Sequence, residues 1–150
     1  MAEESRWFAT DLWTFKAVGE QTGGAYTLAE VVASPDFVPP PHIHHRQDEG
    51  FYVLDGQFEF WLDNRTFTAG PGSFVYLPKG RLHRHGATGG KQARALLMYT
   101  PAGLERFIFE ASRPATNRAE RPAPPALPEL ERIVAIAQQH GIEVPPAPAS

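Results

Sequence analysis

Phe51-Tyr52-Val53-Leu54-Asp55-Gly56-Gln57-Phe58-Glu59-Phe60-Trp61-Leu62 is rich in aromatic and β-branched residues and is interrupted once, by Asp55-Gly56. It reads as two strands meeting at a turn, because an Asp-Gly pair supplies the positive backbone φ that a tight reversal needs. The same pattern repeats on both sides. Upstream, residues 12–18 form a strand ended by Gly19 and the Gly23-Gly24 pair, and residues 26–33 form another, stopped by Pro35. Downstream, Asp63-Asn64 turns into Thr66-Phe67-Thr68, and Gly70-Pro71-Gly72 turns into Phe74-Val75-Tyr76-Leu77. Residues 82–87 and 93–100 complete the series. Many short strands at intervals of roughly 8–12 residues indicate an all-β sandwich or barrel.

Helical signals follow the strands. Residues 103–111 suit a short helix, and residues 112–128, rich in Pro, Ala, Arg and Glu, read as a surface linker. Leu127, Leu130, Ile133, Val134 and Ala137 then recur at helical spacing, with Gly141 as the stop. A single apolar stripe predicts that this helix docks on the outside of the sandwich or on a partner subunit. The final Pro145-Pro146-Ala147-Pro148 reads as a loose tail.

Composition narrows the function classes. A chain of 150 residues suits one domain with a real core. A net charge of −3, with Lys and Arg scattered, gives no footprint for nucleic acid or an anionic membrane. No stretch reaches the roughly 20 apolar residues of a membrane span. The opening Met1-Ala2-Glu3-Glu4 is acidic where a signal peptide is basic, so a cytoplasmic location is expected. Cysteine is absent, so any metal must be held by nitrogen and oxygen.

Five of the six histidines fall in two short segments. His42 and His44 are two apart, so an extended strand points both side chains to one face. Glu49 lies five residues beyond His44, and a turn or bulge within His45-Arg46-Gln47-Asp48 is needed to bring it round to that face. His83 arrives from a remote segment, just after Pro78-Lys79-Gly80. Three imidazoles and one carboxylate are a common set for a divalent transition metal. His85 shares the face of His83 if the strand is regular, and is a candidate base or substrate contact. His45 is expected to face solvent, and His140 to be an ordinary surface histidine.

These segments resemble the cupin superfamily. His42, His44, Glu49 and Gly56 match the first cupin motif at its spacing, with Asp36 where a Gly is usual. Gly72, Pro78, Gly80 and His83 match the second, with Ala87 in place of Asn. The departures fall on positions that shape turns and neighbouring backbone. The resemblance covers approximately Leu12 to Thr100 and implies a double-stranded β-helix, or jelly-roll barrel, with residues 1–111 as the expected barrel domain. Residues 112–150 would then be linker, short C-terminal helix and Pro-rich tail packed on the barrel.

Within that superfamily the chain is similar to small single-domain bacterial members of quercetin-dioxygenase-like type. The likeness implies His42, His44, Glu49 and His83 as ligands of one metal ion, with Ni, Mn, Fe, Co and Zn all accepted by the set. It implies Glu49 as base, with His85 as a second catalytic candidate. The expected activity is a metal-dependent dioxygenase acting with dioxygen on an aromatic or enolic, flavonol-like small molecule. A redox-neutral lyase or isomerase, a non-enzymatic binding protein and a purely structural metal site are the alternatives. Phe51, Val53, Phe60, Phe74, Tyr76 and Met98 are the expected pocket residues, although most aromatics in a sandwich are core. Trp61 is expected on the outer face, and a homodimer is the assembly the resemblance implies.

Overall fold

Strict alternation of buried and half-buried residues along β3 (Thr27–Ala33) sets the inner face of the barrel: Thr27, Ala29, Val31 and Ala33 point in. β10 (Ala93–Thr100) pairs antiparallel with it and buries Ala93, Ala95, Leu97 and Tyr99. The computed structural model describes residues 4–146. The other strands before β10 are β1 (Glu4–Phe8), β2 (Asp11–Ala17), β4 (Ile43–His44), β5 (Asp48–Asp55), β6 (Phe58–Leu62), β7 (Arg65–Ala69), β8 (Phe74–Leu77) and β9 (His83–Ala87). Two short strands follow, β11 (Arg113–Pro114) and β12 (Ile142–Glu143). The helices are α1 (Gly19–Thr22), α2 (Leu104–Ala111) and α3 (Leu127–Gln139).

The larger sheet runs β11-β1-β2-β3-β10-β5-β8, and faces a smaller sheet ordered β7-β6-β9. Between them lie Phe51, Val53, Phe58, Phe60, Leu77 and Leu97, all essentially excluded from solvent. Each such side chain contributes roughly 1.5–3 kcal/mol by leaving water. This is the all-β class expected from the strand spacing and the jelly-roll architecture that the resemblance implied.

The Asp55-Gly56 reversal has a different role from the one read in the sequence. β5 pairs with β10 and β8, whereas β6 pairs with β7 and β9, so the turn carries the chain from one sheet to the other. Gly56 is required there: its φ is +72°, and a Cβ would lie 2.8 Å from Ala93 Cβ and 2.9 Å from Ala93 Cα. The true two-residue hairpin is the next turn, where Asp63 and Asn64 both take positive φ and Leu62 pairs with Arg65.

Both ends of the chain do more than the sequence suggested. Residues 4–8 add β1 to the edge of β2, a strand not foreseen. α3 packs on α2 at the mouth of the barrel, and its Ile133, Ile136 and Ala137 are buried. β12 then pairs with β4, beside the histidine segment. Pro145 and Pro146 have no regular structure, while Ala147 and Pro148 of the expected tail, and Met1 to Glu3, lie outside the described residues. No helix among the described residues is long and apolar enough to cross a membrane.

Candidate metal centre

The Pro39-Pro40-Pro41 run cannot be helical, and it delivers His42 in extended form to a bridge with His83. The carbonyl of His44 is pinned by the Gly80 N–H at 2.8 Å, which ties the two histidine segments together again. The chain bends at His45 and Arg46 before β5 begins, so Glu49 returns to the inner face. In register, Glu49 lies between Tyr99 of β10 and Leu77 of β8. His83 opens β9, and His85 follows on the same face.

Donor atoms of His42, His44 and His83 lie within 4.8 Å of one another, as do those of Glu49, His83 and His85. Glu49 Oε2 is 3.8 Å from His44 Nε2, and Oε1 is 3.6 Å from His85 Nε2. The rings of His42 and His83 are 4.6 Å apart, those of His42 and His44 5.0 Å. All four expected ligands are therefore brought together, and His85 joins them on the Glu49 side.

Hydrogen bonds orient the rings. His42 Nδ1 donates to the Pro40 carbonyl at 3.1 Å, and His83 Nδ1 donates to the Arg81 carbonyl at 3.3 Å. A carbonyl only accepts, so Nδ1 carries the proton and Nε2 keeps its lone pair. Burial lowers the pKa of His42 well below the usual imidazole range, and neighbouring histidines push it further. Burial likewise lowers His44 to about 4, against the opposing pull of Glu49, and lowers His83. Burial alone would raise Glu49, but His85 first and then the other histidines hold it below the ordinary carboxylate range. At neutral pH His42, His44 and His83 present neutral imidazoles and Glu49 a carboxylate.

Glu49 Oε1 and Oε2, His83 Nε2 and His44 Nδ1 are buried with no hydrogen-bond partner. Each such atom costs about 1–3 kcal/mol if left unmatched. One cation accepting lone pairs from Glu49 and His83 Nε2 matches those atoms together, and the nitrogen-and-oxygen donor set fits a divalent transition metal.

A cavity of about 110 Å³ adjoins the cluster, reaching His42, His44, Glu49 and His85. Its walls come from elements far apart in the chain: Phe8, Trp13, Phe37 and Tyr99 from the barrel, Phe107 and Ile108 from α2, Leu130, Ile133 and Val134 from α3. The residues expected to line a pocket lie elsewhere. Phe51, Val53 and Phe60 are barrel core, although Phe51 and Phe60 support the His85 ring at 5.0 and 5.8 Å. Phe74, Tyr76 and Met98 are on the outer face, 60%, 54% and 39% exposed. On β10 the wall residue is the neighbour, Tyr99, because alternation puts adjacent side chains on opposite faces. Trp61 is half-buried. His45 is exposed and bonds Glu143 at 2.9 Å, and His140 bonds Glu110 at 2.8 Å, so neither enters the site.

Asp11, at the head of β2, is the wall residue with chemistry that sequence reading missed. The one available signal was a carboxylate beginning the apolar run Leu12-Trp13-Thr14-Phe15.

Residues 29–99, which carry the whole cluster, match the model of the cupin domain. The fold is a cupin fold. Among solved cupin-like structures, KdgF from Halomonas sp. is 21% identical with a TM-score of 0.56, over 65% of this chain and 84% of that one. A predicted oxalate decarboxylase from Thermotoga maritima is 17% identical with a TM-score of 0.58, over 67% and 93%. The polyketide cyclase RemF from Streptomyces resistomycificus is 26% identical with a TM-score of 0.55, over 63% and 68%. No curated protein sequence matches the chain. The matched residues thus span most of the barrel and both histidine segments, while β1, β2, β11, β12 and the three helices lie outside them.

Proposed function

We propose that the protein is a metal-dependent enzyme acting on an aromatic or enolic small molecule, with dioxygen-dependent cleavage as the first reaction to test. One observation carries this reading: four converging metal-ligand side chains adjoin a cavity walled almost entirely by apolar and aromatic groups. A bound divalent ion supplies Lewis acidity and, if redox-active, one-electron chemistry.

The chain's own residues do the rest. His42, His44 and His83 hold the ion as neutral donors, and Glu49 contributes the single negative charge. The resulting positive balance favours an anionic oxygen, such as an enolate or phenolate, over a neutral one. Glu49 is also placed to take the proton that such a hydroxyl gives up, with His85 3.6 Å from its Oε1 to steady the carboxylate. The aromatic side chains of Trp13, Phe37 and Phe107 in the wall suit a planar, mostly apolar ligand. A cavity of about 110 Å³ admits no more than one ring, since a cavity of roughly 150 Å³ holds benzene. A single-ring enol, or the enolic ring of a larger molecule, is therefore favoured.

A redox-neutral reaction at the same site is the second reading, favoured by the 26% identity to a protein described as a polyketide cyclase. The two separate cleanly. Metal content of the purified protein is measured first, followed by turnover of a panel of flavonols and single-ring enolones with and without dioxygen. Oxygen uptake matched to substrate loss supports the dioxygenase. Turnover that persists anaerobically replaces it with the redox-neutral reading, and a metal-loaded protein inert in both conditions overturns both.

A further inference from the structure

One carboxylate in the cavity wall has no role in the proposed chemistry. Asp11 lies in that wall near Phe8, Trp13 and Phe37, and apart from Glu49 it is the only carboxylate there among the described residues. Its Oδ1 is committed to the fold, accepting from the Ser34 N–H at 3.0 Å and, more weakly, from the Thr10 hydroxyl at 3.4 Å. Its Oδ2 has no hydrogen-bond partner among the described residues. The carboxyl is thus held at one oxygen, while the other makes no bond to the protein; Asp11 is half-buried, so Oδ2 is open to a ligand or to water.

We infer that Asp11 determines specificity: its Oδ2 accepts a hydrogen bond from a second O–H or N–H of the substrate, distinct from the oxygen bound at the histidine cluster. This inference rests on the reading of the cavity as the site of a metal-bound enol. An acceptor in apolar surroundings discriminates strongly, because a ligand lacking the donor leaves it desolvated and unpaired. Burial pushes the Asp11 carboxyl up to about 6, against the Ser34 bond and the charges of His85 and Arg121, so it is anionic at mildly alkaline pH. The substrate class becomes a compact enolone or phenol bearing a second donor, rather than a simple monofunctional arene.

Kojic acid and allomaltol provide the test. They share one chelating hydroxypyranone ring and differ by a hydroxymethyl in place of a methyl. Zinc-loaded protein, which cannot support redox turnover, is titrated with each at pH 8 by calorimetry. Kojic acid is expected to bind roughly 10- to 100-fold more tightly, the range for a hydrogen bond to a charged group. Asp11→Asn keeps an oxygen for Ser34 but puts a neutral amide N–H at the free position, from which the hydroxymethyl oxygen can still accept. The charge-assisted bond is lost, so the ratio of kojic acid to allomaltol affinity is expected to fall at least about 5-fold. Equal affinities in the unaltered protein, or a ratio that Asp11→Asn leaves undiminished, overturn the role of Asp11 and leave the enol reading standing. Failure of zinc-loaded protein to bind either compound overturns the enol reading, and the inference with it.

Discussion

His42 and His83 face each other across an antiparallel bridge, each donating its N–H to the other's carbonyl at 3.0 Å, with ring centroids 4.6 Å apart. The bridge joins the two histidine segments through backbone alone. Either ring can therefore be removed without cutting the link that positions the other.

That separation makes His83→Ala a test of chemistry rather than folding. The variant should keep its far-ultraviolet circular dichroism and lose metal affinity by more than about 100-fold, beyond the usual effect of losing a mere supporting group. Elemental analysis after dialysis reads the outcome. Stoichiometric metal in the variant would falsify the ligand assignment.

Acid should destabilise the metal-free protein through the same cluster. His42, His44 and His83 all have lowered pKa values, His44 to about 4. Between the unfolded imidazole value of about 6.5 and the folded value of His44, the unfolded chain binds more protons. Stability therefore rises with pH across that window and falls as pH drops through it. Melting temperatures from pH 7 down to pH 4 should show the decline. His44→Gln should flatten the curve, and a variant with an unchanged slope would count against burial as the cause.

Asp11 contributes with the opposite sign. Its carboxyl is raised to about 6, so the native state binds the extra proton between the ordinary value and that point, and stability falls as pH rises through it. Asp11→Asn removes the titration, with up to about 3 kcal/mol at stake above pH 7. The melting temperature of the variant relative to the unaltered protein should climb from pH 4 to pH 8. A difference independent of pH would sink the argument.

Two phenylalanines that read alike in sequence should behave very differently. Phe60 is fully buried and packs on Phe51 at 5.0 Å and on Phe67 at 5.4 Å, so Phe60→Ala should cost about 3–5 kcal/mol. Phe74 is exposed on the outer face, and Phe74→Ala should stay within about 0.5 kcal/mol of the unaltered protein. Urea unfolding measures both, and similar midpoints for the two variants would contradict the placement of these side chains.

The cluster was legible because metal ligation uses few residue types at tight local spacing. His42 and His44 share a face by strand geometry, and His83 follows a recognisable Pro-x-Gly turn. Strand positions were legible too, since the turn residues between them have narrow backbone requirements. Which face of each strand points inward was harder to read. Alternation says that Met98 and Tyr99 oppose each other, but only the pairing of β10 with β5, which sets Tyr99 opposite Glu49, says which one faces the cavity. The Asp55-Gly56 turn shows the same limit, since its residues permit a reversal without saying which sheet the next strand joins.

The sequence by itself therefore determined the barrel class and the donor set, both properties of local spacing and residue chemistry. Only the tertiary structure decided the walls. Phe8 and Asp11 from one end of the chain and Leu130 and Ile133 from the other meet above the cluster because burying the α3 stripe against α2 and the barrel mouth removes both apolar surfaces from water. That contact spans more than a hundred residues of chain, and no local pattern encodes it.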